Sequence, residues 1–270
     1  MRPSRPPGAV VTTVVAAAVT AGIRHLEARG RLPGGRERWL RTNHAGAPVS
    51  LVEGVALAGG TAAALLAPRP SAAGAVLLAA VAGSIDDLAG DGSARGLRGH
   101  LTALRHGRPT TGALKVLALG AAGLVAVTTD DARAPAGIGA HTLAGAGVVA
   151  GSANLANLLD LRPGRALKVA LATALPLVVQ GQPAAAAVTG AGLVVLPDDL
   201  AGRTMLGDTG ANPLGAAVGV AAAHRLGPRG RWAALAVLTG LTLASERVSF
   251  TRVIDSTPVL RALDRWGRPR

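Results

Sequence analysis

Long apolar segments alternate with short, arginine-rich segments along the chain. A transmembrane helix needs roughly 20 predominantly apolar residues. The apolar segments here are of that order and rich in alanine and glycine, small residues that let helices pack closely in lipid. They lie near residues 8–23, 49–67, 71–87, 112–128, 138–157, 166–181, 183–197, 211–226 and 231–247. The pattern predicts an all-α, polytopic integral membrane helical bundle with about nine transmembrane helices, in which residues 1–270 form a single membrane domain.

The composition agrees with a membrane protein and narrows the function classes. Hydrophobic residues make up 49% of the chain, and its mean hydropathy is +0.39. The chain has no cysteine, so neither a disulfide nor a thiolate metal site is expected. The net charge of +13 would favour nucleic-acid binding in a soluble protein. Between apolar segments the same charge favours basic cytoplasmic loops, and we expect no nucleic-acid partner.

The distribution of arginine predicts the orientation. With the N-terminus outside, most basic residues fall in cytoplasmic loops near 24–48, 88–111, 158–165 and 198–210 and in a cytoplasmic tail, 248–270. The loop that contains Arg225, Arg229 and Arg231 argues against this orientation. We therefore expect a multi-pass protein of the cell (inner or plasma) membrane, with the acidic motifs described below on the cytoplasmic side.

The first acidic motif is GSIDDLAGD, residues 83–91, where Asp86 and Asp87 end an apolar segment. Two neighbouring carboxylates raise each other's proton affinity unless a cation lies between them. Such a pair suits a general base or a magnesium site. The alternative is a solvated helix end.

The second motif is NLANLLDLRPG, residues 154–164. It places Asn154, Asn157 and Asp160 at i, i+3 and i+6, on one stripe of a helix. Oxygen ligands of this kind suit Mg²⁺ and a diphosphate-bearing nucleotide. The alternative is hydrogen bonding between packed helices.

The third motif is MLGDTGANPLG, residues 205–215, in which Asp208 lies between Gly207 and Gly210. Glycine permits close approach of a ligand to the backbone. The backbone amides of residues 209–212 would start the following helix, and a helix N-terminus favours phosphate. The alternative is that Asp208 only caps that helix.

Two polar loops add candidate binding residues. Arg98 and His100, in the loop 95–112, are candidates to bind a lipid phosphate or a nucleotide diphosphate, or alternatively anionic lipid headgroups. Asn43 lies in the similar segment 41–54, and Glu53 lies just inside the second apolar segment.

Together, the Asp-Asp pair, the Asn-x-x-Asp motif and Gly-Asp-Thr-Gly occur in this order over residues of about 41 to 215. This arrangement resembles the polyprenyl-phosphate N-acetylhexosamine-1-phosphate transferase superfamily, which includes phospho-N-acetylmuramoyl-pentapeptide transferase. The resemblance implies a magnesium-dependent enzyme that transfers a sugar-1-phosphate from a UDP-sugar to a polyprenyl phosphate such as undecaprenyl phosphate, with release of UMP, in synthesis of cell-envelope glycans. It also allows a homodimer.

The resemblance assigns roles by position. Asp86 and Asp87 match the aspartate pair that binds or activates the lipid phosphate, Asn157 and Asp208 match residues that hold Mg²⁺ on the diphosphate, and Asp160 matches the aspartate of the nucleotide site. Asn43, Arg98, His100 and Asn154 are further substrate-binding candidates, and Asp208 is also a catalytic candidate.

The sequence departs from the family pattern at several positions. The family commonly continues its Asn-x-x-Asp motif with Asp-Gly-x-Asp-Gly, whereas this chain reads Asp160-Leu-Arg-Pro-Gly164. Met205 replaces an aromatic residue, Ala211 replaces a serine, and the histidine-rich loop of the muramoyl-pentapeptide branch has no counterpart. Two other functions remain open: a non-catalytic homologue that binds or scaffolds lipid-linked envelope precursors, and a small-solute membrane transporter.

Overall fold

The computed structural model describes residues 7–33, 37–42, 46, 48–89, 106 and 110–269. This part of the chain is predominantly α-helical. The helices are α1 (Pro7–Ala28), α2 (Val52–Leu65), α3 (Pro70–Ala89), α4 (Thr111–Asp131), α5 (Ala140–Leu159), α6 (Arg165–Val179), α7 (Pro183–Leu200), α8 (Gly207–Arg225), α9 (Pro228–Ser245), α10 (Phe250–Ser256) and α11 (Pro258–Arg265). Between α1 and α2, a 3-10 turn (Glu37–Trp39) leads into two short antiparallel strands, β1 (Leu40–Thr42) and β2 (Pro48–Ser50).

The helices agree with an all-α membrane protein. Each predicted apolar segment lies on one of the helices α1 to α9. Among the described residues, α1, α3, α4 and α5 are long and apolar enough to cross a membrane, and α9 with α10 makes a fifth candidate span that is bent by 90°. The described part of the chain therefore has four to five candidate spans by length and composition.

Two predicted boundaries are wrong. The second apolar segment was expected to be helical from residue 49, but Pro48–Ser50 forms β2, because these residues pair with β1 and Ser50 also bridges to Thr204. The helix α2 begins only at Val52. The eighth segment was expected from residue 211, but α8 already begins at Gly207, so the Gly-Asp-Thr-Gly sequence is the first turn of the helix rather than the loop before it.

Helix α8 lies in the middle of the bundle. Its side chains are almost all buried, and it packs against α2, α3, α5, α6 and α7. Alanine, glycine and valine dominate its sequence, so neighbouring backbones can approach closely. The core around it is rich in alanine, with valine and leucine filling the remaining space.

Polar side chains gather at both ends of the bundle. The end where α3 and α5 terminate and α4, α6 and α8 begin is called the site end. At the opposite end, Arg231 donates two hydrogen bonds to Asp131, at 2.7 and 2.9 Å, and both side chains are buried. Nearby, Arg69 bonds to Asp130 at 2.7 Å, and His224 Nδ1 lies 2.9 Å from the same carboxylate.

These ion pairs account for part of the positive charge at this end, which the predicted orientation does not explain. Arg231 belongs to the loop that argued against the predicted orientation, but its charge is compensated inside the fold by Asp131. It therefore contributes little to the charge of the exposed loop.

Candidate functional site

Lys115 links two of the predicted aspartates. Its Nζ lies 2.7 Å from Asp86 Oδ2 and 2.5 Å from Asp208 Oδ2. Asp86 comes from the end of α3, Lys115 from the beginning of α4 and Asp208 from the first turn of α8. One ammonium group therefore bridges two carboxylates that lie far apart in the sequence, and it stabilises the charged form of both.

Asp87 faces the start of α8 instead. Its carboxylate accepts hydrogen bonds from the backbone N–H groups of Asp208, at 3.1 Å, and Thr209, at 2.9 Å, and from the Thr209 hydroxyl at 2.7 Å. The first N–H groups of a helix have no partner within the helix, and the helix dipole favours an anion there. Asp87 is thus the cap of α8, supplied from α3.

This arrangement corrects three expectations. Asp86 and Asp87 do not share a partner in this structure, because successive residues of a helix point about 100° apart and the two carboxylates contact different residues. Asp208 does not cap α8, because Asp87 does so. The N–H groups of Asp208 and Thr209 are also not free to bind phosphate, because they already donate to Asp87.

Glycines allow the helices to meet at this point. A Cβ atom at Gly83 of α3 would lie 2.1 Å from the Asp208 carbonyl oxygen, and one at Gly54 of α2 would lie 2.1 Å from the Leu206 carbonyl oxygen. Gly207 has φ of +58° and would place a Cβ 3.0 Å from Asp87 Oδ2. The turn that carries Asp208 is therefore held between α2 and α3 by backbone contacts that larger residues would prevent.

Asp160 lies beside the same turn. It follows the last residue of α5, and the Gly207 backbone lies close enough to act on the pKa of its carboxyl, in the lowering direction. Burial, followed by the nearby carboxylates of Asp199, Asp208 and Asp87, raises the pKa of Asp160 well above its usual value. Asp160 therefore tends to bind a proton unless a cation lies close to it.

A cavity of about 370 Å³ adjoins Lys115 between α4, α5, α8 and α9. Its lining includes Asn154, Asn157 and Asn212 together with apolar side chains such as Val116 and Leu119. Asn154 donates a 3.0 Å hydrogen bond to Thr242 of α9, which is the helix-packing contact that the sequence left as an alternative. Asn212 is fully buried, and neither atom of its amide has a hydrogen-bond partner within the described part of the chain.

Glu53 supports the turn from the opposite side. It is fully buried, and its Oε2 accepts a hydrogen bond from the Thr204 hydroxyl. The Met205 backbone N–H donates to the Ser50 carbonyl at 3.1 Å. Both contacts connect the start of α2 to the residues that immediately precede the Gly-Asp-Thr-Gly turn, which fixes the direction in which the chain enters α8.

The structure thus brings Asp86, Asp87, Asp160 and Asp208 to one end of the bundle, with Asn154 and Asn157 lining the adjacent cavity. The other candidates, Asn43, Arg98 and His100, lie outside the described residues. Within the described ranges, no group of three or more histidine, aspartate or glutamate side chains is placed to hold a metal ion.

Two contributors were missed at the level of sequence. Lys115 is not among the site residues predicted from the sequence, although it is one of just two lysines in a chain whose other strongly basic side chains are arginines. The scarcity of lysine is the sequence feature that could have singled out Lys115. Asn212 gave a weaker one, since it is an amide within a segment of alanine, glycine and leucine.

Comparison with known proteins gave no match: no protein-family model matches the chain, and no curated protein sequence is significantly similar to it.

Proposed function

We propose that this protein is a membrane phosphotransferase that moves a sugar-1-phosphate, of the N-acetylhexosamine class, from a UDP-sugar to a polyprenyl phosphate and releases UMP. The observation that carries the proposal is the contact of Asp86 and Asp208 with Lys115, with Asp160 close to Asp208, at one end of an apolar bundle. Phosphoryl transfer asks a protein mainly to position its substrates and to neutralise charge. The carboxylates and the ammonium group of this site can together position the substrates and neutralise their charge.

The reaction forms one bond and breaks one bond. An oxygen of the lipid phosphate attacks the phosphorus that carries the sugar, and the bond from that phosphorus to the bridging oxygen breaks, so that the oxygen leaves with UMP. Lys115 is placed to bind the negatively charged phosphate oxygens. Asp86 and Asp208 hold the Lys115 ammonium group in position, and Asp87 and Glu53 keep the turn of Asp208 in place.

The oxygen donor atoms of this site are of the chemical type that Mg²⁺ binds. In nucleotide sites, Mg²⁺ is commonly bound by one or two carboxylates together with substrate phosphate oxygens and water. Asp208 and the amide oxygen of Asn157 would hold it beside the cavity. The ion would supply neutralisation of the diphosphate charge, and Lys115 would then be free to turn from Asp208 toward a phosphate.

The cavity beside Lys115 suits the acceptor. Its cationic end can bind a phosphate, and its apolar lining between α4 and α9 can contact a hydrocarbon chain. Because a polyprenyl phosphate is embedded in the bilayer, the proposal includes nine membrane-spanning helices, α1 to α9, with the site end in the cytoplasm, where a UDP-sugar is available.

The test uses purified protein with Mg²⁺, undecaprenyl phosphate and a panel of UDP-N-acetylhexosamine donors, with UMP release as the readout. We expect at least one donor to release UMP and Asp208→Asn to abolish the release. Asp255→Asn is the matched control, because Asp255 is an exposed aspartate of α10 that forms no ion pair within the described residues. Failure of every donor, or equal rates for Asp208→Asn and the parent, would refute the proposal for this substrate class.

A second candidate function is a non-catalytic protein that binds lipid-linked envelope precursors. One observation favours it: the loop after Asp160, where the family commonly has a second aspartate, is used for structural contacts. The Gly164 N–H donates to Asp199 at 3.1 Å, and Arg268 donates to the Pro163 carbonyl at 2.8 Å. Binding of labelled UDP-sugar or lipid without UMP release would support this function instead.

A further inference from the structure

The C-terminal helices α10 and α11 form a short hairpin that is fixed to the site end of the bundle. Arg165, at the start of α6, donates to both carboxylate oxygens of Asp264, at 2.7 and 3.1 Å. Lys168 donates to the carbonyl oxygens of Leu263, Asp264 and Trp266 at 2.6 to 3.0 Å. Arg165 and Asp264 are both buried. The polar side of α11 therefore faces the protein in a fixed orientation.

The opposite side of α11 is apolar and uncovered. Val259, Leu263 and Trp266 follow one another at i, i+4 and i+7, which places them on one stripe. Their exposed fractions are 69%, 59% and 73%. The ion pair of Asp264 fixes the hairpin so that this stripe is directed away from the described part of the bundle.

The direction of the hairpin suggests what covers the stripe. The axis of α10 lies at 90° to that of α9, so when α9 crosses a membrane, α10 lies in the plane of its surface. The outer surface of α9 near the bend is also apolar and exposed at Leu243 and Val248. Exposed apolar side chains thus occur on both sides of the bend, with the exposed charged residues Glu246 and Arg247 between them.

Charge adds a preference for anionic lipid. Arg247, Arg252, Arg261 and Arg265 are exposed on and beside the hairpin. Helices with one apolar stripe and several basic residues lie at the membrane interface, where tryptophan is also favoured. Each basic side chain near an anionic surface strengthens binding about fivefold.

We propose that the α10–α11 hairpin docks on the anionic lipid surface at the site end of the bundle, with Val259, Leu263 and Trp266 inserted among the lipid chains and the surrounding arginines bound to headgroups. Through Arg165 and Lys168, the docked hairpin holds the loop that connects Asp160 to α6. This lipid contact does not depend on whether the protein is a transferase.

The test measures the surroundings of Trp266. The double substitution Trp39→Phe/Trp232→Phe leaves Trp266 as the single tryptophan. The protein is reconstituted in vesicles of phosphatidylcholine alone or with phosphatidylglycerol, and brominated acyl chains serve as the quencher. We expect quenching of Trp266 fluorescence that increases with phosphatidylglycerol. Adding Arg261→Gln/Arg265→Gln should remove most of that increase, whereas the matched pair Arg133→Gln/Arg229→Gln, exposed at the opposite end, should not.

Two results would overturn the proposal. Quenching of Trp266 by aqueous iodide, without quenching by brominated lipid in either membrane, would place the hairpin in water. Loss of lipid quenching with increasing protein density, together with cross-linking through the hairpin, would show that a second copy covers the stripe. Neither measurement involves UDP-sugar, so the outcome is separate from that of the transferase assay.

Discussion

At the scale of single residues, the site depends on where one ammonium group is placed. Lys115 stands between Asp86 and Asp208 with both N–O distances at or below 2.7 Å. Without it, the two carboxylates would repel each other, and one of them would tend to bind a proton. Lysine is also a compact charge on a flexible stem, so it can move between a carboxylate and a phosphate, which a planar guanidinium does less readily.

Replacing Lys115 should therefore reduce the proposed reaction strongly. We expect Lys115→Met to lower the rate of UMP release by roughly 10² to 10³-fold, the range for losing one charge-stabilising donor. Lys115→Arg should retain part of the activity because it keeps the charge. The measurement is the rate at saturating donor and lipid, with thermal unfolding to verify that each variant is folded. A Lys115→Met variant within a few-fold of the parent would contradict this role.

The sequence predicted which aspartates are close together better than it predicted what each one contacts. Asp86, Asp160 and Asp208 could be grouped from their positions at the ends of apolar segments. The residue that each carboxylate contacts could not be predicted, because it depends on how the helix is rotated about its axis. Asp87 binds the start of α8 while Asp86 binds Lys115, and a rotation of α3 by one residue would turn Asp86 toward the start of α8 instead.

At the scale of elements, the site depends on how closely α3 approaches α8. Gly83 makes this approach possible, because a Cβ there would lie 2.1 Å from the Asp208 carbonyl oxygen. Periodicity in the sequence identified both helices but gave no contact distance. It also placed the start of α8 too late, since proline and glycine in GDTGANPLG resemble a loop, whereas Pro213 lies inside the helix.

Two substitutions in the same helix test this contact. Gly83→Ala should push α3 away from α8, lower the free energy of unfolding by about 1–3 kcal/mol and displace Asp86 and Asp87 from their partners. Gly74→Ala is the matched control, because a Cβ at Gly74 meets no atom within 4 Å. It should be neutral or stabilise the helix by about 0.5–1 kcal/mol. Thermal unfolding in detergent measures both; equal effects would show that Gly83 is not a point of close contact.

At the scale of the whole molecule, the two ends of the bundle differ in how their charged side chains are paired. Arg231 and Asp131 form a buried ion pair at the end opposite the site, and Arg69 is paired with Asp130. Breaking one member of a buried pair leaves an uncompensated charge, so these arginines are part of the fold. Counting them as loop charges in the sequence made that end seem more basic than its exposed surface is.

This compensation strengthens the orientation that places the site end in the cytoplasm, and cysteine labelling can test it directly because the chain has no native cysteine. Ala134→Cys introduces an exposed thiol after α4 at the opposite end, and Ser256→Cys introduces one at the end of α10. A membrane-impermeant maleimide added to intact cells should label position 134 and leave position 256 unlabelled until the membrane is permeabilised. The reverse pattern would place Asp208 outside the cell, where a cytoplasmic UDP-sugar could not reach it, and would refute the transferase proposal even if the protein binds lipid. Labelling of both positions in intact cells would instead mean that the helices between them do not cross the membrane as a bundle.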